Sequence, residues 1–247
     1  MVDPRMSIIG ERLAKIGRVV AISSGKGGVG KSMVASTLAL ALVRDGFRVG
    51  LFDADFTGPS THIILGIAQD VQPKEDRGLV PAEVEGLSYM SLVYFIGDKP
   101  APLRGVDVSN ALIELLSVTQ WGRLDFLIID MPPGIGDAVL DLVRLVRKIE
   151  FLIITTPSLL AFEVVKKQAA LLGELKMPLI GVLENMKRDN ASVIEEQTKK
   201  LGLKYLGAVS FDLKVEAAIG NPAKLLGTAL GETMGTIEKA LAEKREF

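Results

Sequence analysis

One eight-residue stretch constrains this chain more than any other. Residues 25–32 read GKGGVGKS and satisfy G-x-x-x-x-G-K-[ST] at every defined position. The run before it, VVAISS, is apolar and β-branched, and the run after it, SMVASTLALALVR, has a helical composition. A glycine-rich turn between a strand and a helix cradles phosphate, because glycines let successive backbone N–H groups turn inward without Cβ clashes. The helix start adds unpaired N–H groups and roughly half a positive charge. Phosphate binding is therefore assigned to Gly25, Gly27, Gly28, Val29, Gly30, Lys31, Ser32 and Met33. Lys31 is expected to contact the β- and γ-phosphates, and the Ser32 hydroxyl to ligate Mg²⁺.

Short apolar runs alternate with helical patterns along the rest of the chain. Strands are expected at 18–23, 48–53, 87–94, 125–130, 151–155, 179–183 and 205–209, and helices at about 31–45, 107–120, 137–148, 158–175, 190–201 and 223–244. Several strands are apolar at consecutive positions, as expected when helices cover both faces of a parallel sheet. The pattern predicts a doubly wound, mostly parallel α/β sheet with helices on both faces. No Pro-, Gly- or Ser-rich linker divides it, so residues 1–247 are taken as one domain, with 1–17 as an N-terminal extension. In such sheets ligands bind beyond the carboxyl ends of the strands.

Two acidic segments fall there. Asp53 and Asp55 follow an apolar strand in LFDADFTGPS and are expected to hold Mg²⁺ or orient an attacking water, both aimed one way if the strand continues. Residues 126–137, FLIIDMPPGIGD, form a buried strand ending in an acid and then a proline–glycine turn. Asp130 is expected near Mg²⁺, together with Ser32 and Asp53, and Gly134 is expected to offer its N–H to the γ-phosphate. Asp137 reads as the N-cap of the next helix.

Composition removes other chemistries. The chain has no cysteine, which excludes disulfides, thiolate-held zinc, a cysteine nucleophile and a cysteine-ligated iron–sulfur cluster. Its one histidine, His62, is too little for a histidine metal site and reads as a surface or packing residue. A formal net charge of −1 gives no pull toward nucleic acid. Apolar stretches of about twelve residues fall short of the about 20 that span a bilayer, and the first residues lack a signal-peptide run, so a cytoplasmic protein is expected.

The second lysine of the loop, Lys26, gives a deviant Walker A motif that resembles the family of nitrogenase iron protein, MinD, ParA and Mrp. GKGGVGKS, DADFTGPS, IIDMPPGIGD and the segment Leu183-Glu184-Asn185-Met186 then follow in the order and wording of the Mrp/ApbC branch, over residues 19–222. That branch comprises ATP-dependent iron–sulfur cluster carriers. The resemblance implies a homodimer with ATP at its interface, Lys26 completing the partner's site, and catalysis by Lys26, Lys31, Asp53, Asp55 and Asp130. It also implies adenine recognition by Asn185, with the segment carrying Ser210 and Asp212 closing the other side of the base. Asn185-Met186-Lys187-Arg188 is not the N-K-x-D of guanine readers, so ATP/ADP with Mg²⁺ is the expected pair.

The chain departs from that branch where clusters are held. The C-x-x-C usual after the E-N-M segment is replaced by Lys187-Arg188-Asp189-Asn190-Ala191-Ser192. The ATPase part carries over, and the cargo, like the protein client, is not named by the sequence. A competing reading is a MinD- or ParA-like positional ATPase that switches membrane or DNA binding. The C-terminal segment argues against membrane targeting, since 235–245 mixes acids and bases with only two bulky apolar residues. A phosphate-transferring metabolic enzyme on the same scaffold would need substrate residues within 70–105, the least legible part of the chain.

Overall fold

The computed structural model describes residues 3–68, 70–96, 105–134 and 136–243. Seven long or medium strands, β1 (Ile16–Ser24), β2 (Val49–Asp53), β6 (Leu87–Ser91), β7 (Leu124–Asp130), β8 (Ile149–Thr155), β9 (Leu179–Lys187) and β10 (Tyr205–Ser210), lie parallel. With β5 (Ala82–Val84), antiparallel to β6 at one edge, they form an eight-stranded sheet in the order β10-β9-β8-β1-β7-β2-β6-β5. A small hairpin, β3 (Lys74–Glu75) with β4 (Leu79–Val80), stands apart.

Both faces of the sheet are covered, for a reason visible in β1. Val19 and Ala21 point into one core with Phe52, Ile129 and Ile153, while Val20 and Ile22 point into the other with Leu51, Ile128 and Ile154. Alternation on two apolar faces leaves no polar positions, which is why these strands read as unbroken apolar runs. Helices α1 (Arg5–Leu13), α5 (Gly105–Val118), α6 (Asp137–Leu145), α7 (Leu159–Glu174) and α8 (Val193–Lys200) pack on the first face. Helices α2 (Lys31–Arg44), α3 (Thr61–Leu65), α10 (Pro222–Leu226) and α11 (Ala229–Ala242) pack on the second. The short α4 (Val93–Ile96) follows β6, and α9 (Leu213–Ala217) follows β10.

Several expected boundaries move. The strand expected over 87–94 ends at Ser91, and Tyr94 belongs to α4. Within the N-terminal segment, residues 5–13 form α1, whose Ile9 is fully buried in the core. The helix expected over 223–244 breaks at Gly227, because the Thr228 side chain accepts the Gly231 N–H and caps a new helix; its last expected residue lies outside those described. Asp137 is the first residue of α6, while Gly136 holds the N-cap position, so Asp137 does not cap. β3, β4 and β5 were not foreseen, being two or three residues long in the 70–105 region.

The α2–α11 contact buries an acid. Glu238 is 2% exposed and its Oε2 has no hydrogen-bond partner. Burial pushes its carboxyl up to about 7, reinforced by the neighbouring Asp45 carboxyl and opposed by Lys239 and Arg44. A carboxyl that keeps its proton in the folded state stabilises it relative to the unfolded chain at low pH. That advantage is lost as pH rises from the ordinary glutamate range through about 7. Glu238→Gln is therefore expected to raise the thermal midpoint at pH 8 and to leave it nearly unchanged at pH 5, as read by thermal denaturation at both pH values.

Candidate nucleotide and phosphate site

The sheet brings three strand ends together. Asp53 of β2 and Asp130 of β7 are direct partners in register, and Ile22 of β1 pairs with Asp130 from the other side. The loop after β1 wraps over these ends. Gly28 and Gly30 take positive φ values of 76° and 80°, and Gly30 is the N-cap of α2 with no side-chain cap. The amides at this helix start are thus left to a ligand. Gly27, Gly28, Val29, Gly30, Lys31, Ser32 and Met33 line a cavity of about 390 Å³ with Lys26 and Asp55. Gly25 sits at its root, against Val164 of α7.

Beneath the loop lies a charged cluster. The Lys31 ammonium is 6% exposed, donates to Asp130 Oδ1 at 2.6 Å and lies 3.8 Å from Asp55 Oδ2. Asp130 is fully buried and its Oδ2 has no partner. Burial pushes its carboxyl up to about 7 against the pull of Lys31, and the nearby Asp53 adds to the rise. One ammonium among three carboxylates leaves the cluster short of positive charge.

Asp53 departs from expectation. β2 ends at Asp53, so Asp53 and Asp55 do not share a strand face. Asp53 Oδ1 accepts the Asp55 N–H, and Oδ2 accepts the Ser60 and Thr61 N–H groups and the Thr61 hydroxyl. Fully buried, it holds the 54–61 loop and the start of α3 through these bonds. Burial pushes its carboxyl up, and those hydrogen bonds work against the rise. Asp55, by contrast, lines the phosphate cavity with Thr57 donating to it at 2.9 Å.

The Gly134 N–H, placed by the sequence at the γ-phosphate, donates to the Ser24 carbonyl at the root of the phosphate loop at 2.8 Å.

A second cavity, of about 440 Å³, adjoins the first and shares Gly28, Gly30 and Met33 with it. Asn185, Ser210, Asp212, Phe211 and Val215 complete its wall, so the residues expected around the base do converge. Asn185 lies inside β9, which continues past the expected end at 183 to Lys187. Its amide donates to the Val29 carbonyl at 2.8 Å and thereby ties the crest of the phosphate loop to β9. Asp212 caps α9 by accepting the Lys214 N–H at 2.8 Å. Residues missed from the sequence include Thr61 and Val164. Their roles depend on contacts across the sheet and carry no local motif.

Mg²⁺ fits this donor set on one observation, the orphaned buried Oδ2 of Asp130 next to the Ser32 side of the loop. Among the described residues no three acidic, histidine or cysteine groups converge into a metal cage.

Comparisons with known proteins agree with this geometry. The family model described as ParA: NUBPL iron-transfer P-loop NTPase matches residues 15–242. An iron–sulfur cluster carrier protein of Pseudomonas fragi is 45% identical over 177 residues, covering 70% of this chain and 62% of its own length. The chain thus spans less than two thirds of that relative. An iron–sulfur cluster carrier protein of Methanocaldococcus jannaschii is 36% identical over 256 residues, covering 96% of this chain and 88% of its own. Among solved structures, the nucleotide-binding protein of Archaeoglobus fulgidus in complex with ADP superimposes with a TM-score of 0.71 at 29% identity, over 95% of this chain and 93% of that one.

Gly30 tests the site most directly. A Cβ there would collide with the Asn185 amide, and φ is 80°. A side chain in the left-handed region costs about 1–2 kcal/mol before any clash. Gly30→Ala is expected to lower the thermal midpoint and weaken nucleotide binding at least about tenfold by calorimetry.

Proposed function

The chain belongs to the ParA-type family of NUBPL iron-transfer P-loop NTPases, and from that premise we propose that it is a Mg²⁺-dependent ATPase acting as a homodimer in iron–sulfur cluster assembly. The observation that carries the reading is the pair of adjoining cavities, one lined by the phosphate loop and one by Asn185, Ser210 and Asp212. Together they suit the triphosphate and base of one nucleotide. The relatives named above as cluster carriers, and the neighbour solved with ADP, support both the ligand and the cellular role.

Binding begins with an exchange at Lys31. The ammonium leaves Asp130 Oδ1 for the β- and γ-phosphates, which the loop amides receive. Asp130, freed of its partner, and the Ser32 hydroxyl are the groups that would hold Mg²⁺, which when bound neutralises charge on the transferring phosphate. Asp55, at the cavity wall, orients the attacking water. The Gly134 N–H moves from the Ser24 carbonyl to the γ-phosphate, so the loop after β7 senses the nucleotide state. Lys26 is exposed on the outer rim of the loop, a position from which it reaches a twin subunit's phosphates. A cation delivered in trans makes hydrolysis conditional on assembly.

The role in cluster assembly does not run through thiolates. The chain has no cysteine, so it has no means to ligate a cluster in the usual protein manner. The turn after β9 instead presents Lys187, Arg188, Asp189 and Asn190 around a small polar cavity, with the Arg188 guanidinium 4.4 Å from the centre of the Phe211 ring. The protein supplies nucleotide-driven switching, and the cluster is held by another partner.

Two measurements test these points. Lys26→Ala is expected to keep Mg-ATP affinity within a few-fold while hydrolysis falls at least about 100-fold, the scale on which a trans cation acts. Sedimentation should show a dimer with ATP and a monomer with ADP. A monomer in both, together with full activity in Lys26→Ala, would remove the trans mechanism. Anaerobic reconstitution with iron and sulfide should leave the protein colourless, and a stable coloured cluster would overturn the thiolate argument.

A further inference from the structure

Helix α7 meets the phosphate loop at its root, from the face of the sheet opposite α2. Gln168 of α7 is fully buried, and its side-chain amide donates to the Ser23 hydroxyl at the end of β1. Its Oε1 is buried with no hydrogen-bond partner. One turn earlier, Val164 packs so closely on Gly25 that a Cβ there would come within 2.7 Å of Val164 Cβ. Between these two contacts, the Ser24 hydroxyl donates to the Lys26 carbonyl at 3.0 Å, and the Ser24 carbonyl accepts the Gly134 N–H at 2.8 Å.

Stability does not account for a glutamine here. A buried acceptor left unpaired is unfavourable relative to an apolar side chain of similar volume, and removing both partners of a buried hydrogen bond is close to neutral. Methionine at 168 together with alanine at 23 would fill the same space with no orphaned polar atom. What glutamine adds is direction: it reaches across from α7 and fixes Ser23, the residue before the last of β1, just ahead of the loop. We propose that Gln168 is a positioning residue for nucleotide hydrolysis, holding Ser23 so that the backbone from Ser24 to Lys26 presents the Lys26 ammonium to phosphate. Gln168 touches no nucleotide and acts through the loop. The inference rests on the ATPase reading above.

The test uses the full chain with Gln168→Met, Ser23→Ala and the double variant, measuring thermal midpoint, Mg-ADP affinity and the kcat and KM of ATP hydrolysis. Gln168→Met leaves the buried Ser23 hydroxyl unpaired and should lower the thermal midpoint, which the double variant restores, while ADP affinity and KM stay within about threefold and kcat falls at least about tenfold in both. Ser23→Ala should reproduce the kcat loss, and the double variant should be no worse than either single one, as for two groups acting as one unit. A kcat within about twofold of wild type in Gln168→Met would overturn the proposal. So would losses that add in the double variant, or a kcat that recovers along with the thermal midpoint in the double variant. A wild type that binds no ATP would overturn the functional reading and this inference with it. An active wild type with an equally active Gln168→Met variant would overturn this inference alone.

Discussion

The Lys31 ammonium, buried beneath the phosphate loop and held 2.6 Å from Asp130, is the contact on which the site is organised. It is the positive group for which Asp130 and Asp55 compete, and burial alone would drive Asp130 toward its neutral form. Without that ammonium the carboxylates of Asp55 and Asp130 would face one another uncompensated. The pairing joins the start of α2 to the end of β7, and Asp55 Oδ2, 3.8 Å from the ammonium, adds the segment after β2.

Around that cluster the phosphate loop is held at two points. Asn185 of β9 ties its crest through the Val29 carbonyl, and Gln168 with Val164 of α7 anchors its root at Ser23 and Gly25. Both contacts come from one flank of the sheet, the side of β8 and β9, while α2 leaves the loop on the other face. The switch segment after β7 closes the arrangement by giving its Gly134 N–H to Ser24. A nucleotide that claims this N–H therefore pulls on the loop root, and α7 lies directly behind it.

Much of this was legible in residue order because the information was local. A glycine-rich turn flanked by an apolar strand and a helix needs no partner to be recognised, and neither do strands apolar on both faces. Where the reading slipped, side-chain hydrogen bonds, some local and some distant, had overridden the hydrophobic pattern. β9 runs past Leu183 because Glu184 and Asn185, polar in isolation, find Tyr205, Lys187 and Val29 as partners. The carboxyl of Asp53, placed at a strand end by the pattern, also accepts hydrogen bonds from residues 55–61, which no strand pattern foretells. The helix expected over 223–244 ran across Gly227, and the Thr228 cap divided it.

Residue order alone was enough for the fold class, the phosphate loop and the absence of thiolate chemistry, because each follows from side-chain type and spacing over a few residues. Folding in three dimensions decided which carboxylate pairs with Lys31, which one holds the start of α3, what occupies the Gly134 N–H, and that a buried glutamine stands behind the loop. Those outcomes depend on register between β2 and β7 and on the packing of α7 over β8. Such contacts join residues up to 145 positions apart, a separation across which no local pattern carries information.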